Sequence, residues 1–205
     1  MTAKMDIYSD RPGSWDEDLE PEETAEPETG SAPAGVPRPR STLLPGAFLS
    51  QVSAQVVVGL NESRGKPQSV SRGRLAKFWY GPPHGSVHYE IWLHERTMQI
   101  ELGLHCESTP EYNRALYNAF DRCLLEIQAA LGSSFWLEEW DHGWIRLYET
   151  HPFYPMDAAR VEEIAARMCE IVGVLQPMLE DIVASLPSPP PATPERRRDF
   201  HHRRA

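Results

Sequence analysis

The stretch from His88 to Cys106, HYEIWLHERTMQIELGLHC, leaves the chain few choices of fold. Tyr89, Ile91 and Leu93 alternate with Glu90, Trp92 and His94. Met98, Ile100, Leu102, Leu104 and Cys106 then alternate with Gln99, Glu101, Gly103 and His105. Period-two alternation puts one set on a core and the other on an open or half-open face, which predicts two strands joined by a tight turn. The apolar positions are odd-numbered in the first strand and even-numbered in the second. They share a face only where paired residue numbers sum to an odd value. A sum of 191 sets Glu90 against Glu101, two like charges. A sum of 193 makes Arg96-Thr97 the turn and sets Ile91 against Leu102, Trp92 against Glu101 and His88 against His105. That second register is the expected one.

The flanking segments supply helices. Pro45 and Gly59 bracket a short helix over 44–60, with Phe48, Val52, Val56 and Leu60 as its apolar stripe. Asn61 to Arg72 reads as loop by composition, and LAKFWY, Leu75 to Tyr80, as a strand at a sheet edge before Gly81-Pro82-Pro83. Thr109-Pro110-Glu111 gives an N-cap, a first-turn proline and a first-turn acid. Tyr112, Leu116, Phe120, Cys123, Leu124, Ile127 and Leu131 then share a helical face, and Gly132 closes the helix. Phe135 to Glu149 forms a second hairpin about Asp141-His142-Gly143. Asp157 caps a long helix whose inner face runs from Val161 to Ile182, with a bend expected near Gly173 and Pro177. The order αβββαββα predicts an α+β two-layer sandwich, an antiparallel sheet with helices on one face.

Composition sets the boundaries. The chain carries a net charge of −10 in 205 residues. Residues 1–40 hold ten acids and four bases, 41–186 eighteen and eleven, and 187–205 two acids and five arginines. Residues 1–40 and 187–205 are rich in proline and poor in large apolar groups. They read as disordered tails around a single domain at 41–186. Trp15 and Leu19 in the acidic tail have the look of a partner anchor, against the plainer reading of a solvated segment. Cys106, Cys123 and Cys169 are odd in number and lack CxxC spacing, which suits buried thiols in a reducing, cytoplasmic setting. No apolar signal core or membrane span is evident, and none of the spacing is that of a repeat.

The chemistry-bearing residues fall on the outer face of the two hairpins. His88, Glu90 and His105 suit zinc with an open position for water, and the competing reading is a polar strand face without metal. Trp136, Trp140, Trp144, Arg146 and Tyr148 suit an aromatic platform, against half-buried core aromatics. Asp141-His142 lacks an adjacent nucleophile, so the chain reads as a binding module rather than an enzyme. Arg196, Arg197, Arg198, Arg203 and Arg204 are a candidate nucleic-acid contact, set against a solubilising role.

The segments HYEIWLHERTMQIELGLHCES, TPEYNRALYNAFDRCLLEIQAALG and FWLEEWDHGWIRLYE resemble an uncharacterised bacterial domain family over residues 86–185. It has a strand pair ending in Gly-Leu-His, an Asn-bearing helix and a Trp-Asp-x-Gly-Trp turn. Similar domains occur beside restriction-endonuclease-like modules, which implies a DNA-associated setting, although the chain holds no nuclease motif. The element order is also similar to type III secretion chaperones, a likeness that implies a chaperone-like binder and a homodimer; fold alone does not fix function. The reading that follows is an interaction or adaptor domain. It takes a protein or peptide partner through His88, Trp92, His94, Glu101, His105, Trp140, Arg146 and Tyr148, with no cofactor and no membrane. A nucleic-acid accessory protein and a metal-dependent hydrolase are the alternatives.

Overall fold

The computed structural model describes residues 43–65, 67–80 and 86–186. The chain divides into two units, Met1–Arg38 and Pro39–Ala205, and all the described residues belong to the second. The expected tails at 1–40 and 187–205, with Trp15, Leu19 and the arginines 196–198, 203 and 204, lie outside the described residues.

The elements run α1 (Pro45–Arg64), β1 (Gln68–Arg72), β2 (Leu75–Trp79), β3 (Val87–His94), β4 (Gln99–Cys106), α2 (Pro110–Leu131), β5 (Trp136–Glu139), β6 (Ile145–Pro152) and α3 (Ala158–Ser185). The six strands form one antiparallel sheet in the order β1-β2-β3-β4-β6-β5. The α+β sandwich expected from the sequence is therefore present, with one strand more. Residues 68–72, QSVSR, are strand rather than loop, and β2 is an interior strand rather than an edge. β1 has a single large apolar residue and is exposed on both faces, so no periodic signal marks it. Backbone pairing to β2, not burial, makes it a strand.

The first hairpin takes the register whose numbers sum to 193. Ile91 faces Leu102, His88 faces His105 and Trp92 faces Glu101. This parity sends Tyr89, Ile91, Leu93, Ile100, Leu102, Leu104 and Cys106 to one face of the sheet, where they join Phe48, Val52 and Val56 of α1, Leu116, Phe120 and Ile127 of α2, and Ile164, Met168, Ile171 and Leu175 of α3. Each buried Val, Leu, Ile, Phe or Met among them contributes about 1.5–3 kcal/mol by leaving water.

Local signals fix the helix ends. The Tyr112 amide donates to Thr109 Oγ1 at 3.4 Å, and the Arg160 amide to Asp157 Oδ1 at 2.9 Å. α3 continues through Gly173 and Pro177 as one helix. Arg167 on α3 clasps Glu149 of β6 with two contacts of 2.6 and 2.7 Å and donates to the Leu131 carbonyl at the end of α2. Among the described residues no helix is long and apolar enough to cross a membrane.

Candidate functional site

The opposite face of the sheet collects the polar alternates. β2 supplies Lys77 and Trp79, β3 His88, Glu90, Trp92 and His94, β4 Glu101, Gly103 and His105, β6 Arg146 and Tyr148, and β5 Trp136 and Glu138. All eight residues singled out from the sequence lie here or, for Trp140, immediately beyond β5. They are not equally accessible. His88, Glu101, His105 and Arg146 are buried, while Trp92, His94, Trp140 and Tyr148 are half-buried.

Their burial comes from the aromatic rings around them. Trp79 lies 5.7 Å from the His88 ring, and Trp140 meets His105 edge-on at 6.1 Å. Trp92 covers His94 at 4.1 Å. The Arg146 guanidinium sits 5.0 Å from the Trp140 ring and 4.3 Å from Tyr148, close enough for cation–π attraction on both sides. Trp136 is left 61 % exposed at the β5 edge.

Beneath the rings runs a layer of paired charges. Arg146 donates to Glu101 at 2.9 Å and to Glu138 through two nitrogens at 3.1 and 2.8 Å, and the Tyr148 hydroxyl donates to the same Glu138 oxygen at 3.0 Å. His94 reaches Glu101 at 3.2 Å. His105 Nε2 lies 3.1 Å from Glu101 Oε1 as an ion pair, off the angle of a hydrogen bond, and among the described residues its Nδ1 has no hydrogen-bond partner. Toward β2, Lys77 Nζ lies 3.3 Å from Glu107 and 3.4 Å from Glu90, and His88 Nε2 lies 3.1 Å from Glu90.

Protonation follows from these contacts. Burial pushes the Glu90 carboxyl up, but the charge of His105, the His88 hydrogen bond and Lys77 outweigh it and hold it at about 2. Burial likewise raises Glu101, and contact with His105, the hydrogen bond from His94 and the charge of Arg146 bring it below the usual carboxylate range. Burial alone would discharge His105; the carboxylates Glu90, Glu101 and Glu107 prevail and raise its pKa, favouring the imidazolium. Tyr148 is pushed up to about 12, first by burial. Cys106, beside Glu107 in sequence, is turned to the core, and burial raises its thiol far from the thiolate, so it is no nucleophile.

Sequence reasoning overlooked Lys77, Glu107 and Glu138 as parts of this layer. The alternation in β2 and β5 held the signal for Lys77 and Glu138. Glu107 lies past the end of β4 and is brought in by its amide, which donates to the Ser86 carbonyl at 3.0 Å. His88, Glu90 and Glu107 place one ligand atom each within 4.8 Å of one another, which makes them, rather than His88 with His105, the candidate metal ligands. A separate hollow of about 270 Å³ lies between the start of α2 and β5, bordered by Glu111, Arg114 and Glu139.

No family model matches the chain, and no curated protein matches it in sequence.

Proposed function

We propose that this domain is an interaction module of a reducing, cytoplasmic setting that takes a protein or peptide partner on the outer face of its sheet. The observation that carries this reading is the arrangement of Trp79, Trp92, Trp136, Trp140, Trp144 and Tyr148 around an ion-paired layer, on the face opposite the helical core. Large rigid rings supply contact area at little entropic cost, and polar groups between them orient a partner. The buried members, His88, Glu101, His105 and Arg146, act under this reading as the ordered floor, while Trp92, His94, Trp136, Trp140 and Tyr148 make contact. The free thiols of Cys106, Cys123 and Cys169 support the compartment.

A peptide array probed with the full chain tests the proposal, with affinities of retained peptides then read from tryptophan fluorescence. Trp136→Ala and Trp92→Ala are expected to weaken binding about tenfold or more, the scale of an aromatic anchor. An array without retained peptides, or affinities indifferent to both substitutions, would remove the outer face as the binding surface.

A further inference from the structure

We propose that His88, Glu90 and Glu107 form a site for a divalent transition metal of the zinc class, with Lys77 as the cation that holds the site in its place. The proposal goes beyond the peptide-binding reading and does not depend on it.

The first argument is the hydrogen bonding of one ring. His88 Nδ1 lies 3.2 Å from the Ser86 carbonyl oxygen, and His88 Nε2 lies 3.1 Å from a Glu90 carboxylate oxygen. Both neighbours are acceptors. Nε2 also lies 3.8 Å from Glu107, so one ring nitrogen faces two carboxylates. An imidazole nitrogen and two carboxylates that converge in this way form a donor set that a cation can fill. A backbone carbonyl that fixes the far nitrogen is also how metal-bound histidines are oriented.

The second argument is geometric. The three ligand atoms lie within 4.8 Å of one another. Donors around an ion with bonds of about 2 Å stand roughly 3–4 Å apart, so a small contraction suffices. Glu107, the least buried of the three, has room to make it. His88 and Glu90 need none, since positions two apart on a strand share a face.

The donor set selects the metal. One imidazole and two carboxylates suit Zn²⁺, Co²⁺ or Mn²⁺ and leave a position for water, whereas Ca²⁺ needs six or more oxygens. Lys77 now bridges both carboxylates at 3.3 and 3.4 Å. It brings one charge on a flexible stem, and a metal brings two. The neighbouring His105 ring stacks on His88 at 5.8 Å.

Calorimetric titration of the full chain with ZnCl₂, in a background carrying His201→Ala and His202→Ala, tests the site. Visible absorption of added Co²⁺ reports the ligand field in parallel. One Zn²⁺ per chain is expected, weakened at least tenfold by Glu107→Gln and by His88→Gln and tightened by Lys77→Met. Circular dichroism checks the fold of each variant; should His88→Gln unfold, the partly exposed Glu107 and Lys77 decide the matter. Absence of binding overturns the proposal, as do indifference to Glu107→Gln and Lys77→Met, or Ca²⁺ binding as tightly as Zn²⁺. Peptide affinity retained in Glu107→Gln leaves the interaction reading untouched.

Discussion

The two faces of one sheet are stabilised in opposite ways. Toward the helices, Ile91, Leu102, Leu104 and Leu147 are buried against Phe48, Phe120 and Ile171, and burial of area favours the folded state residue by residue. Toward the other side, Glu90, Glu101, His105 and Arg146 are buried to a similar extent, yet taking each from water is costly and is offset only by its partners. An apolar face therefore loses stability in proportion to what is removed. A charged layer is cooperative, because removing one member strands the others.

Arg146→Met is the most severe break of this contrast. It leaves Glu101 and Glu138 without their common donor and is expected to cost about 3–5 kcal/mol in denaturant unfolding. Leu102→Ala, on the same strand pair but the other face, is expected to cost about 2–5 kcal/mol by opening a cavity. Should Arg146→Met cost less than about 1 kcal/mol, the outer layer would be a solvated rim and the contrast would fail. Gly103→Ala tests the joint between the faces. A Cβ there would stand 2.3 Å from the Leu147 carbonyl oxygen and 2.7 Å from Tyr148 Cβ, so β4 and β6 must part, at about 1–3 kcal/mol.

Acidity tests both faces, since Glu149 lies on the helical side, where Arg167 of α3 clasps it, and Glu90 on the outer one. Glu90 and Glu149 are each held at about 2, against an ordinary 4.5. Their contributions are full above the ordinary value and are lost as pH falls through about 2. His105 has a raised pKa, so its contribution is full below its ordinary 6.5 and is lost as pH rises through the raised value. Unfolding midpoints measured against pH should show a plateau bounded on both sides. Glu90→Gln should flatten the acid limb and His105→Gln the alkaline one. The smallest effect is expected at Trp136, exposed at the sheet edge. Trp136→Ala should change stability by no more than about 0.5 kcal/mol while weakening any partner held by the rings.

Much of this contrast is legible in the chain, because strand parity is a strict rule. Once Ile91 and Leu102 must share a face, the positions of His88, Glu101 and His105 opposite them are determined. Helix caps at Thr109 and Asp157 are equally local. Two things escape such reasoning. QSVSR pairs through its backbone and leaves its side chains in water, so nothing in its side-chain pattern announces β1. Alternation also tells which face a residue occupies, not whether long neighbours will close over it. Trp79 at the end of β2 lies against His88, and Trp140 just past β5 lies against His105, on a face expected to be open where both imidazoles are buried. Glu107 reaches the same layer through a backbone bond to Ser86, a contact without a sequence signature.

Asn113 has a consequence for motion. Its buried amide accepts from the Ser108 amide at 3.0 Å and donates to the carbonyls of Ser108 at 3.1 Å and Gly143 at 2.9 Å. Gly143 belongs to the turn between Trp140 and Trp144, where His142 and Gly143 both take the left-handed conformation. The amide thus works as a rivet, fastening the loop that carries two indoles to the first turn of α2. An aspartate of the same shape has no hydrogens to offer those two carbonyls. A partner that shifts these indoles must therefore tug on the start of that helix, and a disturbance arriving on one side of the molecule has a mechanical route to the other.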